Sequence, residues 1–438
     1  MFKSKEIVKR IILLSLNELN IDYIGYYISK GILPNFKFII EKYGYQKTYS
    51  EKEYHLLEPW IQWVSIHTGK SYNEHQVFRL GDIEHANGLQ QLWEIIEQRG
   101  YSVGAIAPLN AANNTKTSGF FVPDPWTQTK ASGEPALKKL AVAISSAVNN
   151  NASNKLTAQT FIHLLRGMTK YVKPLEYKKY VSLLINIKKR ASKVLILDNL
   201  LSDVFIDCFQ NKKPDFSSLF LNGGAHIQHH YMFNSGAYSG LQKNPDWYCP
   251  ENEDPLLDAL VSYDKIIERL LKLDARLIIA TGLHQEPHSA KTFYWRLKDH
   301  DNFLKLIGIE NFKNVIPRMS RDFLIECGSE NDAKNIQSQL ERIVSAADEL
   351  KIFEVDNRGK SLFIELIYPN EINKGFQIKK ENDLTMPLDF YDFVAFVAIK
   401  NGKHNGTGYL IDTGEEFKDG KGEIPLPAIF DHILSNYQ

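Results

Sequence analysis

The 438-residue sequence predicts an α/β fold: a three-layer sandwich with a mostly parallel central sheet, a helical insertion and a small α+β subdomain. Three observations predict it. Short, wholly apolar runs such as IILLSL (11–16) read as strands buried on both faces, the pattern of a parallel sheet. Amphipathic segments follow these runs, so strand and helix alternate towards both ends of the chain. Between them, over residues 130–192, Ser, Asn, Lys and Ala dominate while helical periodicity persists, which marks an insertion.

Taken in order, Ile11 to Leu16 is the first strand. The run is six residues long and lacks a small-residue cleavage site, so it reads neither as a membrane span nor as a leader. A polar turn at Asn17, Glu18 and Asn20 leads into a helix from Ile21 to Lys30. Gly31, Pro34 and Asn35 break that helix, and Phe36 to Tyr43 resumes it. Trp60 to His67 reads as a helix ending at Thr68-Gly69, and Gly88 to Arg99 as one stopped by Gly100. Tyr101 to Ala107 is a strand. After the insertion, Phe216 to Leu221 is a strand ending at Asn222, Asp258 to Leu273 a helix, and Arg276 to Ala280 a strand ending at Thr281-Gly282. Residues 314–368 read as the α+β subdomain, with strands Arg321 to Cys327 and Leu362 to Ile367 around a helix from Asn331 to Leu350. Asp392 to Ile399 reads as the last core strand, running out at Lys400 to His404. Residues 1–438 are expected to form one domain carrying these additions.

Composition narrows the class. Hydrophobic residues at 43% and charged residues at 24% are those of a globular protein. Lys+Arg and Asp+Glu are both 52, so no global excess of charge points to nucleic acid or an anionic membrane. No run approaches the 18 apolar residues of a membrane span. Three separated cysteines, Cys208, Cys249 and Cys327, fit reduced thiols and a cytoplasmic location better than a disulfide framework.

In open α/β sheets ligands bind outside the carboxyl ends of the strands. Polar residues gather at four such ends: Asn17 and Glu18, Asn222 to His230, Thr281 to His288, and Lys400 to His404. His226, His229 and His230 are spaced i, i+3 and i+4, which puts them near one face of a helix. Glu18 and Glu58 supply carboxylates, and His284 follows another strand end. Arg318 and Arg321, with Lys400, suit phosphate or carboxylate recognition.

Several segments resemble, in order, the alkaline phosphatase superfamily in its type I phosphodiesterase/nucleotide pyrophosphatase branch. They are IILLSLNELNIDYIGYYISKGILPNFKFIIEKYG, EPWIQWVSIHTGKSYNEHQV, FLNGGAHIQHH, LIIATGLHQ and IKNGKHNGTG. The resemblance implies an alkaline phosphatase-like fold. It also implies two metal ions, usually zinc, held by three Asp, three His and a Thr nucleophile. Carried over position by position, the first Asp falls on Asn17 and the Thr on Pro59, or on Glu58 with a one-residue slip. The second Asp falls on Asn222 and its His on His226, the third Asp and its His on Gly282 and Leu283, and the last His on His404. Only His226 and His404 keep a ligand of the family's type. Two divalent ions about 4 Å apart need anionic ligands against their repulsion, so a two-zinc site is not expected. One divalent metal, with His226 and His404 among its ligands, is the alternative.

The resemblance and the strand ends together lead to an expected enzyme acting on a phosphate-bearing substrate, a nucleotide-sugar or sugar phosphate. A transferase of surface-polysaccharide biosynthesis, with a glycan acceptor, is the sharper form. Glu18, Glu58, His226 and His404 are the expected acid/base residues. Asn17, Asn222, His229, His230, His284, Arg318, Arg321 and Lys400 are expected to bind substrate. The alternatives are a metal-dependent phosphodiesterase or phosphatase with altered ligands, and a non-catalytic binding protein.

Overall fold

Strand β1 (Ile11–Leu16) is buried along its whole length and organises the fold. It pairs in parallel with β5 (Phe216–Leu221) on one side and β6 (Arg276–Ala280) on the other. Outside β5 lie β3 (Val103–Ile106) and β4 (Phe120–Val122), also parallel. Outside β6 lies β16 (Thr407–Asp412), antiparallel to both β6 and β2 (Gln46–Tyr49), and β17 (Ile424–Pro425) closes the edge. The eight strands run in the order β17-β2-β16-β6-β1-β5-β3-β4. The computed structural model describes residues 10–149, 157–318, 321–381, 387–417 and 422–438.

Successive β1 side chains enter two different cores, because strand side chains alternate between faces. Ile12, Leu14 and Leu16 pack in one core with helices α1 (Ile21–Ser29), α2 (Pro34–Tyr43), α9 (Ser192–Lys212), α10 (Gly223–Tyr231) and α11 (Pro255–Leu271). Ile11 and Leu13 pack in the other with α3 (Pro59–Thr68), α5 (Leu92–Gln98) and α14 (Ala428–Leu434). The sheet is thus covered on both faces, and its polar groups emerge at its ends. The short α4 (Tyr72–His75) follows α3. The expected insertion forms α6 (Pro135–Asn149), α7 (Ala158–Tyr171) and α8 (Tyr177–Ile185); α7 and α8 pack on α9, and α6 packs on α7, where Leu140 meets Gly167.

The chain divides into two compact units. The first comprises residues 1–241, 245–287 and 402–438 and contains the central sheet and insertion. The second comprises 242–244 and 288–401, a wider span than the 314–368 segment read from the sequence. The chain leaves the first unit within β7 (His284–Leu297) and returns to it within β15 (Val394–Asn405). The second unit holds an antiparallel sheet of β8 (Asn314–Pro317), β9 (Asp322–Glu326), β11 (Phe353–Asn357) and β12 (Ser361–Leu366). A smaller sheet of β10 (Ile343–Ser345), β13 (Gln377–Lys380) and β14 (Leu388–Asp389) accompanies it, with helices α12 (His300–Leu306) and α13 (Glu330–Leu340).

Three expected elements differ. Helix α5 begins at Leu92 rather than Gly88, since Gly88 adopts φ +80° and turns the chain. Helix α13 stops at Leu340, and the remainder of the expected helix enters β10 and a turn. The last core strand is β16, not Asp392 to Ile399. Residues Gly408 to Asp412 are buried throughout, whereas Val394 to Ile399 is only partly buried and belongs to β15.

Candidate functional site

The carboxyl ends of β1, β5 and β6 lie side by side, and the backbone ties them together. The Asn17 N–H donates to the Leu221 carbonyl (3.1 Å) and the Glu18 N–H to the Thr281 carbonyl (3.0 Å). Asn17 is the hub of the side chains. Its Oδ1 accepts from the Trp63 indole N–H (2.7 Å), a group that can only donate. Its Nδ2 is therefore turned towards Glu18 Oε1 (2.8 Å) and Asn222 Oδ1 (2.8 Å). Trp63 reaches this point from α3, whose first turn follows Glu58.

Glu18 is buried and occupies the left-handed region, at φ +59°. A non-glycine residue held there is strained by roughly 1–2 kcal/mol, a cost that surrounding contacts must offset. Those contacts converge on its carboxylate. His229 Nε2 lies 3.0 Å and His404 Nε2 3.1 Å from Glu18 Oε2, and the two Nε2 atoms are 3.3 Å apart. Gln285 Nε2 donates to the same oxygen and to the Ala225 carbonyl (3.0 Å). Gln228 Nε2 donates to the Glu18 carbonyl (2.8 Å). Burial alone would raise the Glu18 pKa, but the charges and hydrogen bonds of His404 and His229 outweigh it and hold the carboxyl well below the usual range.

His229 arrives on α10. Gly223 and Gly224 at the start of this helix touch Asp198 and Leu19, and a Cβ at either would collide. Asp198 Oδ2 accepts the Gly223 N–H (2.8 Å) and the Tyr263 hydroxyl (2.5 Å), and burial pushes its carboxyl up to about 6 despite these bonds. His404 arrives from β15, where the chain has little room. A Cβ on Gly402 would lie 2.9 Å from the Gln228 carbonyl and collide with Gln285 Oε1. Glu58 approaches the far side of the His404 ring, with Oε2 3.9 Å from Nδ1.

The structure thus brings together Asn17, Glu18, Asn222, His229, His404 and, more loosely, Glu58. His229, not His226, is the α10 imidazole beside His404. His226 is exposed and meets His230 edge-on, their centroids 4.7 Å apart. His284 Nδ1 is engaged by the Thr407 carbonyl (2.6 Å). Arg318, Arg321 and Lys400 belong to the second unit. Within it the Arg321 guanidinium pairs with Glu365 (3.2 Å) and lies over the Tyr294 ring. Gln285, Gln228 and Trp63 position the cluster and were not singled out from the sequence. The available signal was Gln285 immediately beyond the TGLH strand end and Gln228 beside His229.

The residues do not fit the two-metal arrangement that the resemblance implies. Both polar atoms of Asn17 are engaged, Pro59 offers no ligand, Gly282 packs beside the Trp63 indole, and Leu283 is fully buried. One ion is a different matter. Tetrahedral bonds of about 2.0–2.1 Å set donors about 3.3 Å apart. The separations of Glu18 Oε2, His229 Nε2 and His404 Nε2 are 3.0, 3.1 and 3.3 Å. A second group, Asp412, Glu415 and His432, also gathers potential ligands. Its Asp412 is already held by Arg276 (2.5 Å) and His432 (2.6 Å), a clamp between β6, β16 and α14.

No family model matches the sequence, and no curated protein matches it. Solved structures do. The chain is similar to phosphonoacetate hydrolase from Sinorhizobium meliloti 1021 in complex with phosphonoacetate, at 11% identity over 98% of this chain and 96% of that one, with a TM-score of 0.45. It is similar to an inactive form of murine ectonucleotide pyrophosphatase/phosphodiesterase 5 in complex with AMP, at 11% identity over 98% and 95%, with a TM-score of 0.44. The human form of that protein gives 12% identity over 98% and 94%, with a TM-score of 0.41.

Proposed function

We propose that the chain is an enzyme acting on a small phosphate-bearing substrate, with Glu18, His229 and His404 at its reactive centre. The observation that carries this reading is the convergence of a buried, ionised carboxylate and two imidazoles on one point at the strand ends. Structural carboxylates are seldom buried against two histidines without a use, because removing the charge from water is costly. The order of the sequence segments supplies the substrate class.

Pro59 stands where the resemblance puts a hydroxyl nucleophile, which disfavours a covalent phospho-enzyme. The finer proposal is transfer from a nucleotide-sugar or sugar phosphate to an acceptor hydroxyl. His404 or His229 takes the acceptor proton as the new bond forms and the phosphate-bearing group leaves. Glu18, held ionised, steadies the imidazolium that results. His404→Ala is expected to lower turnover by about 100-fold or more with little change in the thermal shift given by a bound nucleotide-sugar. Absence of any stabilisation across a nucleotide-sugar panel would remove the substrate assignment.

A second reading rests on the spacing of the three donors. Glu18 Oε2, His229 Nε2 and His404 Nε2 would hold one divalent ion with an open position, and the chain would be a phosphodiesterase-type hydrolase. Such an ion supplies Lewis acidity at a phosphoryl oxygen. Here Asn17 and Gln285 orient the carboxylate, and burial keeps bulk water from it. Stoichiometric zinc or manganese in purified protein, lost in His229→Ala, favours this reading. A metal-free protein that still turns over favours the first.

A further inference from the structure

Charge and exposed apolar surface gather in one part of the chain. Residues 158–193 hold nine Lys and Arg against a single acid, Glu176, in a chain whose net charge is zero. The same stretch exposes Phe161, Ile162 and Leu165 on α7, Leu175 in the following turn, and Val181, Leu184 and Ile185 on α8. The spacings 161/162/165 and 181/184/185 put each set on one helix face. Both helices are held to the core, α7 by the face opposite its stripe and α8 by a residue beside its stripe. Gly167 meets Leu140 of α6, and buried Tyr180 donates to Asp203 (2.5 Å). The apolar stripes are therefore not frayed core; they are exposed on helices that are themselves anchored.

The cations are largely available. Lys170 pairs with Glu134, and Lys179 with Glu176 and Asp203. Among the described residues no ion pair engages Arg166, Lys178, Lys188, Lys189 or Lys193, and all five are exposed. Arg166 lies one turn beyond Ile162 on α7, and Lys178 one turn before Val181 on α8, so charge borders each stripe.

We infer that the exposed stripes of α7 and α8 dock on an anionic lipid bilayer, with their aliphatic side chains at the headgroup boundary and the neighbouring lysines against lipid phosphates. Charge complementarity selects this occupant. A second copy presenting the same face would set cation against cation. Protein interfaces are depleted in Lys. Nucleic-acid surfaces stack bases on aromatic rings, whereas six of these seven exposed apolar residues are aliphatic. Aliphatic stripes bordered by lysine are the pattern of helices lying in a membrane interface. No helix among the described residues is long and apolar enough to cross a membrane, so the attachment is peripheral. This inference does not depend on the chemistry of the strand-end site.

Co-sedimentation of the full chain with vesicles tests it. Equimolar phosphatidylglycerol and phosphatidylcholine vesicles are expected to carry the protein down, and phosphatidylcholine vesicles to leave it in solution. Reversing Lys188 or Lys189 to Glu is expected to weaken binding about five-fold per residue. Leu184→Asp with Ile185→Asp is expected to abolish it while leaving the melting temperature unchanged, because these side chains are 57% and 77% exposed. Failure to sediment with the anionic vesicles overturns the proposal. Binding undiminished by the paired Asp substitutions also overturns it, as does a dimer in solution that those substitutions dissolve.

Discussion

At position 17 an amide does what a carboxylate cannot. Asn17 accepts from Trp63 while donating to Glu18 and Asn222, so three side chains are fixed by one. In Asn17→Asp both donors are lost and a second negative charge faces Glu18. Stability is expected to fall by about 3 kcal/mol at neutral pH, measured by urea unfolding. Asp198 gives a prediction with a definite sign. Its carboxyl sits at about 6 in the folded protein against an ordinary value of 3.8. The folded state then keeps a proton that the unfolded chain releases, so this group's contribution to stability declines as pH rises from about 4 to about 6. The decline is on the order of 3 kcal/mol. Asp198→Asn is expected to remove it, seen as a smaller difference between unfolding curves at the two ends of that window.

At the scale of elements, α8 is tied down through Asp203 of α9. That buried carboxylate receives Tyr180, Lys179 (2.9 Å) and Arg269 of α11 (2.6 Å). Asp203→Ala leaves two cations facing each other over a vacated acceptor. It is expected to cost about 3–5 kcal/mol by denaturant unfolding and to loosen α8 first in hydrogen exchange. Much of this level was legible in the sequence. IILLSL, FSSLFL and RLIIA are short apolar runs with polar ends, and each is a parallel strand. The strands QKTY and FFV carry too little pattern over four and three residues to be distinguished from loop. The site was half legible. Glu18, Asn17 and His404 stand at recognisable chain positions. Which of His226, His229 and His230 turns towards Glu18 depends on the rotation of α10, fixed by Gly223 against Asp198 and Gly224 against Leu19, contacts far apart in sequence.

Across the whole first unit, the layer of α3, α5 and α14 connects its last helix to the site. Ile429 and Ile433 of α14 are fully buried, and Phe430 packs on Gly69 at the end of α3, the helix that carries Trp63. Ile433→Ala is expected to cost about 2–4 kcal/mol by thermal or urea unfolding. The Arg276–Asp412–His432 clamp lies at the amino end of β6, the opposite end of that strand from Glu18, so it supports the sheet rather than the chemistry. Gly402 has the reverse position: it is close to the chemistry yet contributes no side chain. Its neighbours leave space for a hydrogen and nothing larger, and its torsion is not left-handed, so the demand is one of volume alone. In a saturation library selected for activity, position 402 should therefore retain a single amino acid, while Lys403, half exposed beside Glu286, should admit many. A pooled sequencing count would register that contrast as a sharp notch in tolerance one residue wide.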